Sequence, residues 1–538
     1  MQAIWVVSPA SLQCSVFEMN YNKMDHYKIG VGKSDITDRR TGLQMQGMSD
    51  PAQRTTGVLH ELYARAFVIE DATRTIAIVI ADLWSCTKLL KTEVLRALER
   101  EDIQVFTKEN LLIAGTHTHS APGGYAGYML FDQPSGKVDQ VTLQILVSGI
   151  VKALKLAIAN KKPGKIYINR GMLENCGAQR SMPAYENNPH EERERYGRAT
   201  DTEMLLFKFV HSVDNEEFVA GLINWYAIHP TDLGQFNTLV SGDNKGIASA
   251  KMEQYAAESL GNIDFVAAFA NSNCGDVSGN VAFGLPDGVH DEAHANRHGE
   301  LQFERAKDLF INAKKEVLGD LKYGYKEVDM SNVSIVNTNK RTFPYALGLS
   351  LTAASSEDSI PRYQHPITGK MKRVARVIRE GLTVREVGFN AVGWQWLVMS
   401  LLASLKFKTR LPLLLSKKMK QGHHPKPIVV APQQNERLAP HRLSLQIFKI
   451  GNIAIVGIPG EITTMAGRRL RERIKEAFNH ANQQVDHVIL STYANDYAQY
   501  ITTKEEYDMQ HYEGASTPFG PHTLAAYAQA YEQLIVEK

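Results

Sequence analysis

The sequence predicts an α/β fold: a large mixed-sheet catalytic domain with surrounding helices and insertions. Two observations carry that reading. Between residues 27 and 170, apolar runs of strand length alternate with stretches of helix length, the pattern of layered sheets and helices. Several of the apolar runs along the chain also stop abruptly at polar loops that contain Gly together with His, Asp or Glu. Catalytic groups favour such loops on rigid scaffolds.

The elements follow in order. The first patterned strand begins near Tyr27, so residues 1–26 read as a tail and 27–538 as the catalytic domain. Residues 64–69 and 75–81 read as neighbouring strands joined by a turn at Glu70-Asp71-Ala72. An amphipathic helix is predicted over 89–100, a buried strand over 111–114 and a long helix over 141–159. That helix ends at Asn160 and the lysines before Pro163. Two more apolar strands are predicted over 218–225 and 265–270. Residues 320–430 are the least regular part. Within them, 397–415 is an apolar stretch interrupted by Lys406, Lys408, Arg410 and Pro412. It reads as a buried helix plus a loop, or as an apolar lip that meets lipid. A last core run, 453–459, precedes Gly460-Glu461. A helix over 463–478 then carries Arg468, Arg469, Arg471 and Arg473, and another helix lies around 523–527.

Composition narrows the function classes. A chain of 538 residues holds several domain-sized units or one large catalytic domain with insertions. Its formal net charge of +2 makes no electrostatic case for nucleic acid. The four cysteines, Cys14, Cys86, Cys176 and Cys274, include no C-x-x-C pair and form no disulfide scaffold. Any metal would therefore rest on His and carboxylate. Residues 4–7 are too short for a signal-peptide core, and no basic segment precedes them. No run of 18 apolar residues exists, so no transmembrane helix is predicted. The compartment stays open.

The segment Gly115-Thr116-His117-Thr118-His119-Ser120 is the most informative. Residues two apart in extended backbone project to one side, so two imidazoles at a strand end suit a metal. The plain alternative is a polar strand end with solvated histidines. Three further loops hold comparable groups: His229 and then Asp243; Cys274, Asp276 and Ser278; and Pro459-Gly460-Glu461. If their strands share one sheet, the loops converge in the crevice where open α/β sheets bind ligands. Two His and one Glu would suit Zn²⁺, which takes neutral imidazole and carboxylate and keeps a position open in catalytic sites. Such a metal polarises a carbonyl and activates water, which suits amide or ester hydrolysis. No H-E-x-x-H helix is present, which argues against the commonest metallopeptidase class. The C-terminal region is dense in tyrosine, at 493, 497, 500, 507 and 512. Packing explains most such residues, although a tyrosinate can ligate a metal and a phenol can donate to an oxyanion.

Taken together, several segments resemble the neutral (neutral/alkaline, non-lysosomal) ceramidase family. They are 29–37, 115–125, 224–231, 241–246, 275–278, 460–471 and 512–517, in that order along the chain. The resemblance implies hydrolysis of the amide of ceramide to sphingosine and a fatty acid, with one zinc ion per chain. By motif, the zinc ligands would be His117, His229, Glu461 and Tyr500, with His119 lining the site and contacting substrate. Ser278 matches the proposed nucleophile, with zinc-bound water as the competing attacking group. Arg180 matches an active-site arginine and Tyr512 a tyrosine that stabilises the oxyanion. A membrane would be a peripheral partner, with 392–415 bordering a lipid entrance. Two alternatives stand beside this: a zinc hydrolase of another N-acyl lipid or N-acyl amino acid, and an inactive lipid-binding homologue.

Three departures from the family pattern are visible. Gly279 stands where members commonly have Pro, an exchange expected to loosen the loop. The chain stops at Lys538 without the C-terminal immunoglobulin-like domain that many members carry. Many members are secreted, and no signal is evident here.

Overall fold

Strands whose alternate residues face opposite layers build the centre of the molecule. The computed structural model describes residues 27–48, 50–132, 135–214, 216–279, 290–353, 401–406 and 409–536. The main sheet contains β1 (Tyr27–Asp35), β2 (Tyr63–Glu70), β3 (Thr75–Ala81), β4 (Leu111–Gly115), β5 (Lys162–Met172), β6 (Glu203–Val213), β7 (Glu216–Tyr226) and β8 (Val266–Asn271). Their order is β8-β7-β6-β5-β1-β2-β3-β4, with Lys315–Glu316 added alongside β5. The sheet is mixed: β3/β4 and β7/β8 are parallel, and the other neighbours are antiparallel. A second sheet runs β9 (Leu321–Asp329), β10 (Arg442–Ile450), β11 (Ile453–Gly457), β12 (His487–Ser491).

The period of two places the core. In β3, Ile76, Ile78 and Ile80 point to the same cluster as Phe448, Ile450, Ile453, Ile455 and Ile489 of the second sheet. The two sheets therefore pack face to face around a shared core. On the other face of β3, Ala77, Val79 and Ala81 meet α1 (Lys88–Arg100) and α2 (Gln140–Ala159). The far end of the main sheet packs on α3 (Asp243–Leu260) and α4 (Asp291–Ile311). Leu443, Leu445 and Val456 of the second sheet turn outward to α5 (Thr464–His480) and α6 (Thr523–Val536). The result is helices, sheet, sheet, helices. Strands covered on both faces read as continuous apolar runs, which is why β3 and β4 were legible.

Among the described residues, α2 is long and apolar enough to cross a membrane by composition, yet it is a core helix packed on the main sheet. Glycine allows its approach: a side chain at Gly30 would meet the Ala157 carbonyl at 1.8 Å.

The shared-sheet expectation needs correction. The four catalytic loops do not share a sheet, because Glu461 follows β11 in the second sheet. The edges meet instead through a bridge between Ala114 and Ala494. Residues 320–430, read as the least regular part, do contain regular structure. Leu321–Asp329 is a strand at the edge of the second sheet, and its Lys, Tyr and Glu residues carry little apolar alternation. Within 397–415, the helix over 401–406 is not buried: Leu401, Leu402 and Leu405 are exposed. Residues 392–400 and 407–408 lie outside the described residues.

Candidate active site

β4 runs into Gly115, where a side chain would meet the Leu83 carbonyl at 2.7 Å. Glycine lets segment 83–85 lie against the strand end, and its carbonyls catch the next residues. His117 N–H donates to Leu83 O at 2.9 Å, and His117 Nδ1 lies 2.8 Å from Trp84 O. These bonds hold His117 at φ +74°, left-handed backbone that a side chain enters only at a cost. Extended backbone therefore does not present the two histidines, because the strand ends at Gly115. His117 and His119 meet nonetheless, Nε2 to Nε2, at 3.0 Å.

His229 comes from the loop after β7. Its backbone forms a parallel bridge to Ser278, and its Nδ1 lies 2.7 Å from Cys274 O and 3.1 Å from Val277 O. Glu461 opens a two-residue strand, Glu461–Ile462, in parallel register with Tyr500–Ile501. Its Oε2 is 3.0 Å from His229 Nε2 and 3.4 Å from His117 Nε2. All three side chains are buried, and their ligand atoms lie within 4.8 Å of one another.

This donor set fits a cation. A carbonyl accepts only from a protonated Nδ1, so each Nε2 turns its lone pair to the centre. Metal-ligating histidines are oriented in the same way, by their other ring nitrogen. Burial opposes the Glu461 carboxylate, yet the facing His117 and His229 outweigh it and hold the acid well below its usual range. Burial also pulls His117 down, against Glu461. His229 moves the other way, to about 10: burial and Arg180 oppose its charge, and Cys274 and Glu461 more than offset them.

Tyrosines complete the shell. Tyr497 O–H donates to Glu461 Oε1, and Tyr493 O–H donates to Oε2 at 3.4 Å. The Tyr493 ring stacks on His117, centroids 3.8 Å apart and 12° from parallel. Sequence reasoning counted both tyrosines but gave neither a role. What aims them is the loop backbone, with Tyr493, Asn495 and Gln499 at φ +59°, +64° and +65°, and composition does not announce that.

The short strand Val277–Ser278 pairs with Ala178–Gln179, and Arg180 N–H donates to Asp276 O at 2.9 Å. The buried Arg180 guanidinium reaches Glu513 Oε1 at 2.9 Å, Gly275 O at 2.7 Å and the Tyr500 hydroxyl at 2.8 Å. The rings of Tyr500 and Tyr512 meet edge to face at 5.4 Å, and the guanidinium lies 5.5 Å from the Tyr512 centroid. Burial raises the Tyr500 phenol well above its usual range, with Arg180 opposing. The structure therefore gathers Arg180, Tyr500 and Tyr512 beside Glu461, and seats Ser278 in register with His229. Of the site residues predicted from sequence, only His119 and Tyr512 keep partial exposure. Glu513, the Arg180 counter-charge, gave no signal beyond standing next to Tyr512.

Gly279 has a local reason. A Cβ there would lie 2.4 Å from Asp232 Oδ1, an atom that accepts from His298 Nδ1 at 2.9 Å. A buried carboxylate occupies the space a larger residue would need. The arginines of α5 are latches: Arg471 grips Asn273 and Ser272 of the loop leading to Ser278, and Arg469 pairs with Glu192 and Glu505.

Comparison with known proteins gives the family. The model of the neutral/alkaline non-lysosomal ceramidase N-terminal domain matches residues 27–386 and 403–529. A neutral ceramidase of Oryza sativa subsp. japonica is 31% identical over 94% of this chain and 74% of its own length. One from Pseudomonas aeruginosa is 33% identical over 95% of this chain and 72% of its own. Among solved structures, a ceramidase complexed with C2 superposes with a TM-score of 0.79 at 30% identity, covering 95% of this chain and 75% of that one. A crystal structure of the Pseudomonas aeruginosa neutral ceramidase gives a TM-score of 0.77 at 30% identity, with 95% and 74% covered. With its family match spanning nearly the whole described chain, this protein belongs to the neutral/alkaline non-lysosomal ceramidases.

Proposed function

We propose that this chain hydrolyses the N-acyl amide of ceramide to sphingosine and free fatty acid, with residues 27–538 as one catalytic unit. One Zn²⁺ would be held by His117, His229, Glu461 and Tyr500. The observation that supports this best is the buried convergence of His117, His229 and Glu461 in a member of this family. Zinc–nitrogen bonds of about 2.0–2.1 Å put tetrahedral donors about 3.3 Å apart, and the 3.0 and 3.4 Å separations around Glu461 Oε2 bracket that spacing. Arg180 donates to the Tyr500 oxygen and so opposes the burial that raises this phenol.

The ion, when bound, would polarise the amide carbonyl and acidify water. The chain's own residues do the rest. The Trp84 and Cys274 carbonyls fix the tautomers of His117 and His229. Arg180 and Tyr512 supply donors for the developing oxyanion or the sphingoid hydroxyls. His119 contacts substrate. Ser278 attacks the carbonyl or assists the attacking water. Release of fatty acid from a short-chain fluorescent ceramide, with chelator and zinc add-back, tests the reading. Chelator-sensitive, zinc-restored cleavage is expected, and N-acyl amino acids should be cleaved far less well. Zinc-loaded protein that spares ceramide but cleaves N-acyl amino acids would reassign the substrate.

Ser278→Ala is expected to lower turnover by about 10²-fold or more while zinc content stays at the parent level. Turnover within threefold of the parent would leave water as the sole attacking group.

The exposed leucines Leu405 (68%) and Leu414 (69%) support a peripheral membrane contact bordering the lipid entrance. The double variant Leu405→Asp/Leu414→Asp should weaken phospholipid-vesicle binding severalfold with zinc content unchanged. Unaltered vesicle binding would sink the idea.

A further inference from the structure

Behind the tyrosine loop lies a groove of about 460 Å³ between α1, segment 103–108, and Tyr325 and Ser444 of the second sheet. That volume falls within the range of small-molecule sites. We propose that this groove binds a small organic anion, a carboxylate or phosphate with a short apolar portion, held by Lys91 and Lys108.

Charge argues for the anion. Four cations line the groove, Lys88, Lys91, Arg96 and Lys108, against two carboxylates, Glu99 and Glu327. Lys88 is answered by Glu327 at 3.2 Å and Arg96 by Glu93 at 2.6 Å. Neither Lys91 nor Lys108 forms an ion pair among the described residues. Both ammonium groups gather on one ring: Lys91 Nζ lies 5.6 Å and Lys108 Nζ 5.2 Å from the Tyr325 centroid. Lys91 is only 5% exposed, so it is no solvated surface lysine. It donates to Lys108 O and to Asn495 Oδ1, both at 3.0 Å, which uses two of its three N–H donors. Burial first, and Lys108 after it, pull the Lys91 ammonium down to about 7. Glu327 is shared between Lys88 and Lys108, and a bound anion would favour the charged form of the buried Lys91.

Shape argues for the apolar portion. Leu95, Ile103 and Phe106 line the same groove, so a bare inorganic ion would leave its apolar wall unused. The groove is separate from the His117–His229–Glu461 cluster. None of those three residues lines it, so the proposal stands whether or not ceramide is the substrate.

Isothermal titration of the zinc-loaded full chain with octyl phosphate, octanoate and inorganic phosphate tests it. Saturable one-to-one binding of at least one amphiphile is expected. Loss of a charge-assisted contact should weaken it about tenfold or more in Lys108→Glu, an exposed position whose exchange spares the fold. Lys91→Met, checked for native circular dichroism, should lose binding as well. Failure of both amphiphiles to bind overturns the proposal. So does binding unchanged in Lys108→Glu, as expected for an acid held at the catalytic centre. Inorganic phosphate binding as tightly as octyl phosphate would overturn the apolar part.

Discussion

With one metal ion held as proposed, Glu461→Gln is expected to leave a folded protein that no longer retains it. Metal per chain, measured by inductively coupled plasma mass spectrometry after desalting, should fall from about one to below about a tenth. Amide hydrolysis should fall by more than the about 10–100-fold that an outer-shell partner costs. The reason is in the geometry. Glu461 Oε2 faces both His229 Nε2 and His117 Nε2, and the two imidazoles hold the acid ionised against its burial. A neutral amide offers no charge to a cation at this depth. Tyr497→Phe is the graded companion. It removes only the phenol that donates to Oε1, so it should stay within about 10–100-fold. Full metal retention in Glu461→Gln would show that the cluster is not the binding site.

The second large effect is on stability. Glu513→Gln should destabilise the protein by about 3–5 kcal/mol, read as a shift in the urea midpoint, because it leaves a buried guanidinium without its counter-charge. The pair is deeply enclosed, with side-chain exposures of 2% for Arg180 and 3% for Glu513. The hydrogen bonds to Gly275 O and the Tyr500 hydroxyl remain, so the guanidinium keeps its position but not its neutralisation. A gain in ceramide KM or a loss in kcat should accompany the destabilisation, since the same group faces Tyr512. A change below about 1 kcal/mol, the level of an exposed pair, would contradict the burial that the argument rests on.

How legible all this was depends on the range of the interaction. Strands β3 and β4 and helices α1 and α2 were readable because alternation, helical periodicity and length are local properties. The His117, His229 and Glu461 loops were readable because each follows an apolar run and holds a residue with metal chemistry. Leu321–Asp329 was not, since a strand at a sheet edge need not alternate. The leucines of 401–406 read as either core or an exposed lip, because hydrophobicity alone does not say which side of a helix finds a partner.

By itself, then, the sequence determined which segments bury themselves and which side chains bring chemistry to their ends. Tertiary structure alone decided that the strands divide into two facing sheets, whose edges meet where Ala114 bridges Ala494. It decided that left-handed backbone, not an extended strand, aims His117 inward. It also decided that Tyr497, among many tyrosines, holds Glu461, and that Glu513 answers Arg180 across 333 positions of sequence. Burial preference is a property of each residue and its near neighbours, whereas a convergent site is a property of contacts that exist only after both sheets have packed.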